Sequence, residues 1–203
     1  MLIVAVNVWA EILSAVVNGM NKSTFKIAFT GVIIALCEVF LLSTGLFPFA
    51  TYALPALAGM LLIPLMVEFG GKTAYIAFFG ASVLAVLLCP DKEAAAMFTL
   101  FLGHYPISKA YFERIKNRIL EMLLKLVCFN GTVILTYVIL INLLGLSQIA
   151  EGFSDFGVYT VPLLLALANI VFIVYDIGLS CVINLYIFKI KPQYIDKMKR
   201  SKR

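Results

Sequence analysis

Apolar runs long enough to cross a bilayer recur along this sequence, and that recurrence restricts the fold more than any motif in it. About 20 apolar residues wound into a helix span the roughly 30 Å hydrocarbon core of a membrane. Such runs fall at 26–47, 52–68, 73–90, 94–108, 119–145 and 157–188. The fourth is short and contains Gly103 and Pro106, so it is expected to be tilted, broken or only partly inserted. The fifth and sixth are long enough to tilt or to project into water. Backbone amides in lipid must be bonded internally, which leaves helices or a closed barrel, and a barrel needs alternating polarity. These runs are continuously apolar. With 63% hydrophobic and 13% charged residues, against about 45–50% and about 25% in soluble domains, the chain reads as an all-α integral membrane protein. The expected architecture is one bundle of about six transmembrane helices over residues 20–190.

Cations set the orientation. Counted from Met20, one side of the membrane receives Lys22, Lys26, Lys72, the cluster at 109–118 and the basic tail, residues 191–203. The other receives 89–94, with Lys92 alone, and 147–157, with two acids and no cation. The positive-inside rule then places both termini of the bundle in the cytoplasm, N-in and C-in, in a multi-pass protein of a bacterial plasma membrane. Residues 1–19 are mostly apolar but carry Asn7 and Glu11 and no basic leader, so they lack the form of a signal peptide. They are an extension before a natural start at Met20, or an extra helix. The net charge of +5 is spread over short loops and the tail, which fits membrane orientation and not nucleic-acid binding.

Ionisable groups inside spans are costly and mark function by default. Glu38 lies in the outer half of the first span and Asp176 near the middle of the last, neither with an opposite charge nearby on its own helix. Glu121 and Lys125 stand four apart in the favourable order for a local ion pair. Asn169 and Asp176 are seven apart, hence on one helical face, and so are Asn130 and Tyr137. These four are expected to line one polar pocket between the last two spans, with Glu38 opposite, as candidate ligand-binding residues. Plain interhelical hydrogen bonding is the alternative. The aromatic loop 45–55 reaches the outer face, either as a cap on the pocket or as part of an interfacial belt.

Small residues mark close helix contacts. Ala28, Gly31 and Ala35 share a face of the first span, and Ala77, Ala81 and Ala85 share one in the third. Enzyme chemistry is poorly supported: there is no H-E-x-x-H or G-x-S-x-G, His104 is the single histidine, and a carboxylate pair such as Glu38 and Asp176, which could do acid–base work, serves intramembrane transport equally well. His104 has no Cys, His or carboxylate at ligand spacing, so no metal site and no cofactor is expected. Cys37, Cys89, Cys128 and Cys181 read as small buried apolar residues. The segment from Gly103 to Arg118 is expected to be a cytoplasmic elbow. In it Pro106 breaks the fourth span and Lys109 to Arg118 run on as a short surface helix.

The short basic segment before "FKIAFTGVIIALCEVF", the "CPDKEAA" turn at 89–95 and the elbow from Gly103 to Glu113 together resemble the substrate-binding S components of energy-coupling factor (ECF) transporters. The resemblance covers about residues 20–190. It implies a membrane-embedded, vitamin-type binder without an ATPase site of its own. Such a protein docks through small residues of its first helix onto a transmembrane coupling subunit that carries two ATPases. Gly31 and Ala35 match that spacing, and Lys109 and Arg114 of the elbow are a second candidate contact. The ligand site it implies lies toward the outer side, under the first outer loop, and Asp176 is deep for such a site.

The leading expectation is therefore a non-enzymatic substrate-binding subunit of a bacterial small-molecule importer, with a small-molecule ligand, coupling subunit, ATPases and lipid bilayer as partners. A small proton- or ion-coupled secondary transporter using Glu38 and Asp176 is the second, and a non-transporting membrane scaffold the third.

Overall fold

The structure, a computed structural model, describes residues 22–115, 117–142 and 160–191. The segments expected as an N-terminal extension (1–19), an acidic outer loop (147–157) and most of the basic tail lie outside the described residues. Every regular element among those described is helical. Four helices are long and apolar enough to cross a membrane: Ser23–Ser43, Gly71–Leu88, Arg118–Ile139 and Pro162–Lys189.

The first of these belongs to α1, Lys22–Ser43. After a 3₁₀ turn at Pro48–Ala50 the chain enters α2, Ala53–Met60, and then α3, Ile63–Phe69. The expected span 52–68 is thus two short helices. Pro64 explains the break: it has no N–H to give the carbonyl four residues back. The neighbouring amides adapt, and Leu61 N–H is shared between the carbonyls of Leu57 and Ala58. Gly70, at φ +82°, turns the chain sharply into α4, Gly71–Leu88, a left-handed backbone that favours glycine.

The fourth segment departs most from expectation. Asp91 caps α5, Lys92–Met97, accepting from the amides of Glu93 and Ala94 at 3.0 Å each. A π-helical turn at Phe98–Leu102 follows, and α6 runs from Tyr105 to Phe112. Gly103 and His104, between them, keep helical backbone angles. Residues 92–112 therefore form one bent rod, broken near Gly103 and Pro106 as the sequence suggests, and it is the buried centre of the described bundle. Phe98, Phe101, Tyr105, Ile107 and Lys109 on it are all within 1% of full burial. Pro106 cannot donate to the carbonyl of Leu102, and Gly59 of α2 lies directly against that carbonyl, where a side chain could not fit. The ring of His104 accounts for a second carbonyl at the bend, with Nε2 2.7 Å from Leu100 O.

Two long helices complete the bundle: α7, Arg118–Asn142, and α8, Thr160–Leu185, which ends in a π turn at Tyr186–Ile190. Asn117 Oδ1 caps α7, accepting from Ile119 N–H at 3.0 Å. Two cores result. In one, Ala74, Ala77, Ala81 and Ala85 of α4 are fully buried near Ile33, Cys37 and Leu41 of α1. Alanines there let the two backbones approach closely. The other core is aromatic: Phe129 of α7 and Phe172 of α8 stack at 4.5 Å, with Phe101 of the rod edge-on to both. The outer flank of α8 exposes Leu163, Leu167, Ile170 and Val174, apolar side chains suited to lipid.

Candidate functional site

Polar groups are stacked in layers along α7 and α8, and the rod carries charge into both ends of the stack. At the elbow end, Asp176 of α8 is held by three donors. Its Oδ1 accepts from Tyr105 Oη at 2.7 Å and from Lys109 Nζ in a very short contact, and its Oδ2 accepts from Lys125 Nζ at 3.2 Å. Lys109 also donates to the main-chain oxygen of Asp176 at 3.0 Å and pairs with Glu113 at 3.0 Å. Lys125 pairs with Glu121 at 2.7 Å, the local ion pair expected from their spacing. The lysine side chains are 1% and 7% exposed, so both charges are taken from solvent and balanced by carboxylates. A cleft of about 640 Å³ opens beside the cluster, with Glu113, Glu121 and Asp176 on its polar wall and Met122, Leu126 and Phe172 on its apolar one.

One turn deeper the Phe129–Phe172 stack closes the ionic layer off. Beyond it, Asn130 and Asn169 face each other across α7 and α8. Each donates its Nδ2 to the other's Oδ1 at 2.9 Å, and each also donates to the carbonyl four residues back on its own helix. Every amide hydrogen is used within the bundle.

A third polar group lies about 18 Å from Lys125 along α7, twelve residues at about 1.5 Å each. Tyr137 Oη donates to Glu93 Oε1 at 3.1 Å, and Tyr52, at the head of α2, donates to the same oxygen. The two phenol oxygens are 3.1 Å apart. This group joins the first loop, the start of α5 and the far half of α7.

The five residues expected to share a pocket are therefore distributed over four places. Asp176 is in the ionic layer, Asn130 and Asn169 are bonded to each other, and Tyr137 is in the far group. Glu38 is on α1, which packs mainly on α2 and α4. Glu38 is 8% exposed, and neither carboxylate oxygen has a hydrogen-bond partner among the described residues. Heptad spacing assigned the faces correctly, but side chains at different depths do not meet. Among the expected docking residues, Gly31 and Ala35 are exposed on α1 and Arg114 is exposed over the ring of Tyr111 at 5.1 Å. Lys109 is not a surface cation: it is buried against Asp176, because the rod carries it inside. The short surface helix expected from Lys109 to Arg118 is replaced by the end of α6 and a turn.

Sequence reasoning missed four participants: Tyr105, Glu93, Tyr52, and Lys109 as an interior residue. The i,i+4 spacing of Lys109 and Glu113 was a local signal for one of them. No spacing links positions 52, 93 and 137.

Fold and site together define, among the described residues, an all-helical bundle with four helices long and apolar enough to cross a membrane and with charged groups paired inside it. Compared with family models, curated proteins and solved structures, the chain matches none.

Proposed function

We propose that this chain is the membrane-embedded substrate-binding subunit of a small-molecule importer, docking on a separate ATP-driven coupling module of the ECF kind. In this reading it crosses a bacterial plasma membrane six times, N-in and C-in. The segments α2–α3 and 92–112 are the additional crossings beside the four long helices. One observation carries the subunit assignment. Of the two small-residue faces, Ala77, Ala81 and Ala85 are consumed inside the bundle, whereas Ala28, Gly31 and Ala35 are left exposed. A side chain built on Gly31 would meet nothing within 4 Å. A smooth outer face of this kind suits a partner helix at close range. The test is Gly31→Leu. The isolated protein should keep its stability, while co-purification with the coupling subunit and ATP-driven uptake are lost. Unfolding of the isolated variant, or intact assembly, would reject the assignment.

A second reading, a proton- or ion-coupled transporter, is favoured by Glu38, whose buried carboxylate has no hydrogen-bond partner among the described residues. Its partner in that reading, Asp176, already has both oxygens engaged. Glu38→Gln should abolish uptake in this mechanism, and it should leave uptake unchanged in the ATP-driven one.

A further inference from the structure

The far polar group is an acceptor site. Tyr52 and Tyr137 each have one phenolic hydrogen, and both are directed to Glu93 Oε1. The two hydroxyls are also within hydrogen-bond distance of each other, 3.1 Å apart. Glu93 Oε2 has no partner among the described residues, yet it is not among their sealed polar atoms. No lysine or arginine of the described residues forms an ion pair with Glu93. Its sequence neighbour Lys92 turns away, donating to Val86 O at 3.1 Å and Cys89 O at 3.0 Å, where it caps the end of α4. The other neighbouring acid, Asp91, spends Oδ1 on its helix cap.

What remains at Glu93 is a carboxylate oxygen without a hydrogen-bond partner, on a side chain braced by two phenols and without a counter-ion among the described residues. Phenol rings favour cations over their faces. The loop that supplies Tyr52 also carries Phe47 and Phe49, half and almost fully exposed, their rings 5.8 Å apart. Asp176 differs in kind, because two lysines already pair with its carboxylate.

We propose that Glu93, with Tyr52 and Tyr137, forms the head-group subsite of the ligand site, and that it takes a protonated amine. The carboxylate supplies the counter-charge and accepts from the ammonium. The two phenols fix its rotamer. This rests on the reading that the chain binds a small molecule, and it narrows the ligand from any small solute to an organic cation.

The test is calorimetric titration of the full chain in nanodiscs with 2-phenylethylamine, beside 2-phenylethanol and phenylacetate as neutral and anionic controls of similar shape. Saturable binding of the amine alone is expected, weakened at least tenfold by Glu93→Gln. Tyr137→Phe, which removes one brace but keeps the charge, should weaken it less. Failure of the amine to bind, equal or tighter binding of either control, or amine binding that Glu93→Gln leaves unchanged would overturn the proposal. Destabilisation by Glu93→Gln without amine binding would show a purely structural latch and would overturn it too. Co-purification with a coupling module is a separate readout, so amine binding without a partner would retain this inference and reject the importer subunit.

Discussion

Asn130 and Asn169 exchange two hydrogen bonds of 2.9 Å, a closed amide pair that ties α7 to α8. In a helix pair buried in lipid such a bond has no water to compete with it. The unfolded chain in the membrane nevertheless finds other partners, so the net coupling is modest, about 0.6 kcal/mol on average and at most about 1.7. A double-mutant cycle of Asn130→Ala and Asn169→Ala, read by reversible unfolding in bicelles, should give a coupling in that range. Additive single mutants would mean that the pair contributes nothing as a unit.

Asp176 is expected to be a structural pin. Removing its charge takes away the carboxylate that Lys109 and Lys125 share while they are 1% and 7% exposed, and leaves each lysine with one glutamate, Glu113 and Glu121. Breaking a buried pair from one side costs about 3–5 kcal/mol, and the lower end applies because the Asp176 side chain is 22% exposed. Asp176→Asn should therefore lower stability in detergent. Lys109→Met on the Asp176→Asn background should recover part of the loss, which thermal unfolding of the three variants would report. A stable Asp176→Asn variant with a specific uptake defect would return the residue to a ligand role.

Gly59 is expected to tolerate no side chain. A Cβ there would collide with the main-chain carbonyl of Leu102, which cannot rotate away as a side chain can. Overpacking of this kind costs about 1–3 kcal/mol. Gly59→Ala should fall in that range by thermal unfolding, whereas Gly31→Ala, with open space around it, should be near neutral.

The charge asymmetry predicts sidedness. In a cysteine-free background, Arg114→Cys should resist an impermeant maleimide applied to intact cells, and Lys92→Cys should label. The reverse pattern would invert the bundle.

The four long helices were legible because continuous apolar runs have one physical solution in lipid, and α1, α4, α7 and α8 fall within a few residues of the expected runs. Burial was less legible. The segment 92–112 looked weak because Gly103, Pro106 and Lys109 interrupt its hydropathy, yet each interruption is answered by another element. Phe78 packs over Gly103, Gly59 meets the carbonyl that Pro106 leaves free, and Asp176 neutralises Lys109. Those answers come from positions far away in sequence, and hydropathy along one segment does not register them. The same holds for the polar layers. Seven-residue spacing put Asn169 and Asp176 on one face, but depth decided their partners, and Lys109 and Glu93 arrive on a third element.

The rod of residues 92–112 is fastened at both ends, by Glu93 to two tyrosines and by Lys109 to Asp176, sixteen residues or about 24 Å apart. Its backbone ladder is weakest between these fastenings, at the π turn and the Pro106 bend. Any rotation of one fastened end against the other therefore has to pass through the few residues around Gly103, where Phe78 packs on the chain.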